Sequence, residues 1–265
     1  MSNISAKYKK RKQAIELVKN INENKSGYLI IHYSCESFID TPNGNTPRIT
    51  SIAVRFFDTA QTKSFSIHKT AELDGISVDE IYNHYDILEK KMLNDFFDFV
   101  SHHHTHKWIH ANMRDINYGF EAINHRYSIL HGTPAIINDN LKIDFPRLLI
   151  DKYGANYISH PRLENLYNLN KITMVNFLSG KEEAEAFNNR EYVKLHLSTL
   201  RKVDNLHSVI QKDYEDTLKT NFSIIKFYGW TPQGLFYLIQ EDWRFAFAAF
   251  ILVTLLGIIV TLILK

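Results

Sequence analysis

The segment YLIIHYSCES, residues 28–37, decides how the chain folds. It begins as a run of aromatic and aliphatic side chains, which is typical of a buried β-strand. It then finishes on one carboxylate, Glu36, and two positions earlier the chain has Ser34. The question is what this single carboxylate does, and which other residues of the sequence act with it.

The composition fits one soluble domain with accessory segments. A chain of 265 residues that is 45% hydrophobic can bury one full core but not the cores of two large domains. Its single cysteine, Cys35, excludes an internal disulfide framework and a cysteine-rich zinc module. A single thiol suits a domain in a reducing compartment. The simplest role for Cys35 is that of a strand residue in the hydrophobic core.

The N-terminal segment is a basic arm that contains KYKKRK, residues 7–12. Six basic residues and one acid give the first twenty residues a charge of +5, which leaves −3 for the rest of a chain whose net charge is +2. Such an arm can contact phosphate, either of nucleic acid or of anionic lipid headgroups. A solvated helix end is the alternative. No apolar run follows the charges, so a secretory signal is not expected.

The segment FAFAAFILVTLLGIIVTLIL, residues 245–264, has twenty residues without a charge. As a helix with a rise of about 1.5 Å per residue, it covers the hydrocarbon core of a bilayer, which is about 30 Å thick. We interpret it as a membrane span rather than a buried core helix, because core helices rarely lack a polar stripe over this length. Gly257 and Thr261 fit a small-residue packing seam and indicate a homo-oligomer, with lipid-facing small residues as the alternative.

An aromatic segment precedes the span. Thr231 and Pro232 are typical of an N-cap and a first-turn residue, so a short helix is expected along the membrane interface. Side chains of the kind that settle at headgroup level are Trp230, Phe236, Tyr237 and Trp243. The order of segments predicts a single-pass, tail-anchored protein whose N-terminal domain stays in the cytoplasm. The expected divisions are an arm with a short helix (1–25), a domain (26–220), an interfacial linker (221–244) and a transmembrane helix (245–264).

Three strand-like runs follow the arm: YLIIHYSCE, ITSIAVRFF from residue 49 and KSFSIH from residue 63. Turn-rich segments separate them, which predicts an antiparallel meander. A helix is predicted over residues 77–100, where Ser77 and Glu80 form a capping-box pattern before apolar residues at helical spacing. A fourth strand, KWIHA, comes next. This order predicts an α/β fold in which helices flank a mixed sheet. Further helices are predicted around residues 116–130, 144–154, 161–169 and 191–219.

Five short segments then suggest a family, because they occur in a characteristic order. They are YSCES, HANMRD (110–115), KIDFPRLL (142–149), HPRLENLYNLNKI (160–172) and HLSTLRKVDNLHSVI (196–210). The layout resembles the DEDD superfamily of 3′–5′ exonucleases over roughly residues 28–212. The resemblance implies an RNase H-like fold and a site in which four acids hold two divalent metal ions. The metals, about 4 Å apart, clamp the attacking water and the leaving oxygen.

This chain keeps two of the acids that the resemblance implies, Glu36 and Asp115, which become candidate catalytic residues and metal ligands. The first acidic position holds Ser34, and the last falls on Arg201 or Lys202. Lys202 lies beside the apolar stripe of the last helix, so we expect its ammonium to reach toward the two acids. A cation there would repel Mg²⁺ and compensate the carboxylates itself. The sequence therefore favours a degenerate, binding-only site.

Other side chains complete the candidate site. The resemblance implies His196 as a general base, and it places His110 and Asn112 with Ser34 and Lys202 among the substrate-binding residues. Exposed arginines meet phosphate in other proteins, which makes Arg114 and Arg126 further candidates. Three weaker candidates are metal binding by the histidines at 102–106, a site role for His207, and an N-cap or metal-binding role for Asp144.

Three functions stay open at this point. The leading hypothesis is a membrane-tethered module that recognises nucleic acid or nucleotide without a cofactor, as a sensor or effector, for example in bacterial antiviral defence. The rival is an active 3′–5′ exonuclease that uses Mg²⁺ or Mn²⁺. The third is a membrane-anchored scaffold that oligomerises through its span.

Overall fold

The structure, a computed structural model, describes residues 4–36, 46–114 and 118–264. Its contacts divide the chain into two compact units. The terminal unit comprises Met1–Glu16, Leu149–Ser159 and Thr220–Lys265, and the α/β unit comprises Leu17–Leu148 and His160–Lys219. Segments that are distant in sequence thus join in each unit.

Five strands form one mixed sheet in the described part of the α/β unit. They are β1 (Tyr28–Cys35), β2 (Ile49–Phe56), β3 (Thr62–Ser66), β4 (Lys107–His110) and β5 (Lys142–Asp144). The order is β3-β2-β1-β4-β5. The first three strands are antiparallel neighbours, whereas β4 runs parallel to β1 and β5 runs parallel to β4. The predicted mixed sheet is confirmed, and β5 is a strand that the sequence did not predict.

Helices precede, separate and follow the strands along the described chain. They are α1 (Ile4–Glu23), α2 (Ile67–Leu73), α3 (Tyr85–His102), α4 (Phe120–Ile129), α5 (Phe145–Tyr153), α6 (Arg162–Leu169), α7 (Gly180–Asn188), α8 (Tyr192–Tyr214), α9 (Ile224–Tyr228), α10 (Pro232–Glu241) and α11 (Trp243–Ile263). Short 3₁₀ helices occupy Lys25–Gly27, Val78–His84 and Asp139–Leu141.

The central strand β1 is covered on both faces. Leu29, Ile31 and Tyr33 join the apolar cluster that contains side chains of α3 and α4. Helix α8 contacts β1 and β2. The side chains that the helical spacing predicts on its inward face are buried: Tyr192, Leu195, Thr199, Val203, Leu206 and Ile210. Because each strand side chain points opposite to its neighbour, this double cover explains why β1 reads as a continuous apolar run.

Two predicted helices differ at their N-terminal ends. The apolar residues expected on one face of the 77–100 helix are buried, from Ile81 to Val100. However, its first turn is the 3₁₀ helix, and Ser77 makes no side-chain capping bond, so the capping box is absent. Helix α1 is longer than expected, because it includes the basic arm as well as the buried Ala14, Val18 and Ile21.

A buried ion pair ties α3 to α4 and to the start of β2. The carboxylate of Glu89 accepts hydrogen bonds from the backbone N–H of Ile49 at 2.7 Å and from Arg126 Nε at 3.0 Å. The Nη2 atom of Arg126 also donates to Asp86 at 2.6 Å. Burial raises the pKa of Glu89 to about 7, although Arg126 opposes the shift. Arg126 is therefore committed to the buried Glu89 and the exposed Asp86 rather than to a phosphate.

The terminal unit contains the predicted interfacial helix and the predicted span. Thr231 Oγ1 accepts a hydrogen bond from Gly234 N at 3.1 Å, and Pro232 occupies the first turn of α10, so the predicted N-cap is confirmed. Helix α11 has exposed apolar side chains along its length. In the described chain, it alone is long and apolar enough to cross a membrane.

Replacement of Arg126 by alanine should lower the free energy of unfolding of the full chain in detergent by about 3–5 kcal/mol, because it leaves Glu89 buried without its partner. Urea unfolding followed by tryptophan fluorescence measures the change. The matched control is Arg114→Ala, an exposed arginine, whose removal should cost less than about 1 kcal/mol. Equal losses in the two variants would contradict the role given to the ion pair.

Candidate functional site

The polar end of β1 is a buried hydrogen-bond network. Ser34 is fully buried, and its Oγ lies 2.8 Å from Glu183 Oε1 and 2.8 Å from Thr199 Oγ1. Thr199 Oγ1 lies 2.7 Å from Ser51 Oγ on β2. The network therefore joins the two central strands to α7 and α8 through side chains that have no contact with solvent.

Lys202 enters this network from α8. Its Nζ lies 2.7 Å from Glu183 Oε1, and the two side chains are 13% and 1% exposed. The same carboxylate oxygen accepts a hydrogen bond from Ser198 Oγ at 2.9 Å. Three donors thus converge on one oxygen of Glu183, whereas its other oxygen, Oε2, is buried without a hydrogen-bond partner among the described residues.

The position of Glu183 follows from a helix that the sequence analysis missed. Ser179 and Glu182 form a capping box, which fixes the start of α7 and places Glu183 at its fourth residue. Glu183, Ala186 and Phe187 are buried on one face. The pattern Ser-x-x-Glu at 179–182 is a recognised N-terminal signal and predicts this helix. What the pattern does not reveal is that Glu183 faces Ser34, which is 149 positions away.

The acid that pairs with Lys202 therefore differs from the expected ones. Glu36 is half-buried just beyond β1, and its Oε2 accepts a long hydrogen bond, 3.4 Å, from the backbone N–H of Arg48. Asp115 lies outside the described residues. The lysine expected to reach Glu36 and Asp115 forms its ion pair with Glu183 instead. The reason is local, because Glu183 approaches from the same side of the sheet as α8.

The candidate base His196 is buried on α8, beside α2. Its ring centroid lies 5.1 Å from that of His68, and its Nε2 is buried without a hydrogen-bond partner among the described residues. Burial and the nearby His68 lower the pKa of His196 to about 4. The imidazole is therefore neutral at pH 7, and no described carboxylate orients it.

His110 is also buried rather than placed at a site mouth. Its Nδ1 accepts a hydrogen bond from the backbone N–H of Met113 at 3.1 Å, which assigns the proton of the neutral ring to Nε2. Burial, with smaller effects from Arg114 and Lys142, lowers the pKa of His110 to about 3. The ring thus stabilises the turn that follows β4.

That turn presents Asn112 and Arg114 to solvent at the carboxyl end of β4. Asn112 has a φ of +58°, and Arg114 Nη2 donates to the carbonyl of Lys142 at 3.2 Å. Gly119 closes the turn with a φ of +142°, and a Cβ there would overlap the carbonyl of Met113. Tyr33 Oη accepts a hydrogen bond from Gly119 N at 2.9 Å. The central strand therefore positions this turn.

A cavity of about 400 Å³ lies beside the turn. Its lining combines cationic, acidic and apolar side chains: Met113, Arg114, Phe120, Glu121, Asp139 and Lys142. Lys142 is held by Asp139 at 2.8 Å, whereas Arg114 is exposed. The cavity lies between the turn after β4 and the first residue of β5, Lys142, and its polar and apolar lining could hold a small ligand.

The remaining candidates have structural partners. Asp144 Oδ1 lies 3.4 Å from the backbone N–H of Arg147, in the position of an N-cap for α5. His207 Nε2 lies 3.2 Å from the carbonyl of Phe57. The ring nitrogens of His102, His103 and His104 each lie within hydrogen-bond distance of a backbone carbonyl. Among residues 4–36, 46–114 and 118–264, no three His, Cys, Asp or Glu side chains are grouped to hold a metal ion.

Replacement of Lys202 by methionine should lower the free energy of unfolding by about 3 kcal/mol, because Glu183 stays buried and loses its cation. Adding Glu183→Gln to this variant should restore most of the lost stability, since a neutral amide oxygen still accepts hydrogen bonds from Ser34 and Ser198. The double-mutant cycle, measured by urea unfolding in detergent, gives the coupling energy.

The matched control for that cycle is Lys194→Met on the same helix. Lys194 pairs with Glu191 at 3.0 Å on the surface, where both side chains are exposed. Replacement of Lys194 should lower the free energy of unfolding by less than about 1 kcal/mol. A Lys202 variant no less stable than the Lys194 variant would show that the buried pair contributes nothing.

Comparison with known proteins gives no further guide to this site. No protein-family model, no curated protein and no solved structure matches the chain. The resemblance to the DEDD exonucleases therefore stays a prediction from the motifs.

Proposed function

We propose that the α/β unit is an RNase H-like, exonuclease-derived module that recognises a nucleotide or nucleic acid without catalysis, and that α11 tethers it to a membrane as a sensor or effector. Two observations support the fold assignment. The motifs occur in the order that the exonucleases have, and a meander followed by two parallel strands, in the order β3-β2-β1-β4-β5, is the arrangement that an RNase H-like sheet requires. The free, buried thiol of Cys35 is compatible with a cytoplasmic domain.

The observation that carries the absence of catalysis is the Lys202–Glu183 pair at Ser34. A two-metal centre needs several carboxylate oxygens that face one wet site. Here the first acidic position supplies a hydroxyl, and three donors occupy one oxygen of the nearby acid. An ammonium 2.7 Å from that oxygen also opposes the approach of a divalent cation. A closed, neutralised network thus stands where the metals would bind.

The ligand would bind at the neighbouring turn. Arg114 and Asn112 are exposed at the carboxyl end of β4, beside the cavity of about 400 Å³. A guanidinium can hold a phosphate with two parallel hydrogen bonds, and Arg114 lines this cavity.

Charge favours a small ligand over a long strand. The α/β unit has a net charge of −3, because nine of the 31 basic residues and four of the 29 acids belong to the terminal unit. A surface that follows many phosphates needs a row of cations, whereas a nucleotide or a strand end needs one or two. We therefore favour a nucleotide or the end of a single strand.

The full chain in detergent should leave a 5′-labelled oligonucleotide intact with either Mg²⁺ or Mn²⁺, and Glu36→Gln should change nothing. It should bind the same oligonucleotide in the presence of a chelator, with an affinity that falls as salt rises. Arg114→Ala should weaken binding about tenfold, because it removes a charge-assisted hydrogen bond. Lys194→Ala, a surface change elsewhere in the unit, is the matched control and should leave the affinity unchanged.

Shortening of the oligonucleotide that Glu36→Gln abolishes would instead establish the active exonuclease. Glu36 favours that alternative, because its carboxylate is half-buried and makes only one long hydrogen bond among the described residues. In that case Asp115 would be the second metal ligand, and His196 would be the base.

A scaffold that oligomerises through α11 would neither bind nor degrade the oligonucleotide. Gly257 has open space around it, so Gly257→Leu adds bulk to the seam without strain inside the chain. Loss of a cross-linked oligomer in this variant, together with the absence of oligonucleotide binding, would favour the scaffold.

A further inference from the structure

The basic arm has no part in the function proposed above, yet the structure gives it a defined place. It forms the first turns of α1, where Lys9, Lys10 and Lys12 are exposed. The ion pairs within the described ranges include none of these three lysines; in α1 they involve only Arg11 and Lys19. The ammonium of Lys12 lies 5.7 Å from the centroid of the Tyr8 ring, and all three lysines are exposed on one short stretch of helix.

Two contacts tie this stretch to the residues just before α11. The ring of Tyr8 stacks on Tyr237, with centroids 4.4 Å apart and planes 19° apart. Arg11 Nε lies 2.8 Å from Glu241 Oε2, and these side chains are only 12% and 4% exposed. Glu241 ends α10, and α11 begins two residues later. The lysines are thus carried by a helix that is fastened at the start of the span.

Aromatic side chains mark the level of the membrane interface in the same unit. Trp230, Phe236 and Trp243 are all more than half exposed, next to or within α10 and α11. Rings of this kind settle among lipid headgroups. A helix is about 10 Å wide, and the Debye length at physiological salt is about 8 Å. A charge one helix width from the interface is thus at a distance comparable to the Debye length, and the attraction to the membrane surface grows as salt is lowered.

We propose that the exposed lysines of α1 bind anionic phospholipid headgroups of the membrane that α11 spans. A cavity of about 240 Å³, lined by Lys7, Lys10, Gly154 and Phe227 together with Asp151, offers a seat for one headgroup. The charge of the chain supports this partner, since the terminal unit carries +5 and the α/β unit carries −3.

The test compares lysine acetylation in the full chain reconstituted into nanodiscs of phosphatidylcholine alone or with added phosphatidylserine. Mass spectrometry gives the rate at each lysine. Lys9, Lys10 and Lys12 should react at least about threefold more slowly in the anionic discs at low salt, and the difference should vanish at high salt. Lys63, Lys181 and Lys194, which are exposed in the α/β unit, are internal controls whose rates should not change.

A matched pair of variants separates specific binding from general charge. Replacing Lys9, Lys10 and Lys12 by alanine should abolish the preference of the full chain for incorporation into anionic over neutral vesicles, measured by flotation. Replacing Lys63, Lys181 and Lys194 by alanine removes the same charge and should leave the preference intact.

Three outcomes would overturn the proposal. Equal acetylation rates in neutral and anionic discs would exclude headgroup binding. Protection of the arm by an oligonucleotide in neutral discs, without protection by phosphatidylserine, would assign the arm to nucleic acid. Failure of the full chain to incorporate into neutral vesicles would remove the span on which the inference rests. The first two outcomes bear neither on ligand binding at Arg114 nor on the tether. The inference rests on the membrane tether of the proposed function, so the third outcome would remove both, whereas ligand binding at Arg114 is tested separately.

Discussion

The ion pair between Lys202 and Glu183 is the constraint on which the arrangement around β1 depends. At 2.7 Å and an effective dielectric constant of about 20, the attraction is about 6 kcal/mol. Removing each ion from water costs several kcal/mol, so the pair alone gains little. Hydrogen bonds from Ser34 and Ser198 to the same oxygen add the stabilisation that makes the buried pair favourable. The pair therefore requires α7, α8 and β1 to keep their relative positions.

Much of this fold follows from local patterns in the sequence. Apolar residues at helical spacing identify α3 and α8, and Thr231 with Pro232 identifies the start of α10. In α3 and α8 the signal is the buried face, which repeats with the helical period, and at the start of α10 it is the cap together with the fixed φ of proline. Strand β5 has only three residues, too few for any periodicity, and it exists because β4 offers it a parallel edge. The basic arm is helical because it continues a helix whose later turns are buried.

The candidate site was harder to predict than the fold, for a physical reason. Sequence reasoning placed Ser34, Glu36 and Lys202 near one another, since motif order reports which elements neighbour each other. It did not identify the acid that pairs with Lys202, because Glu183 meets Ser34 through tertiary packing between residues 149 positions apart. Likewise, Arg126 looks like a surface cation in the sequence, and only the structure reveals that Glu89 and Asp86 hold it.

The convergence of donors on Glu183 also restricts how this chain can evolve. An acid introduced at Ser34 would lie against the carboxylate of Glu183, where two like charges repel. Loss of Lys202 alone would leave that carboxylate buried without its cation, which destabilises the fold. Conversion of this cluster to a metal-binding set of acids would therefore require changes on β1, α7 and α8 together. The stability of the fold alone thus couples these three positions, so that a change at one of them makes a change at the others necessary.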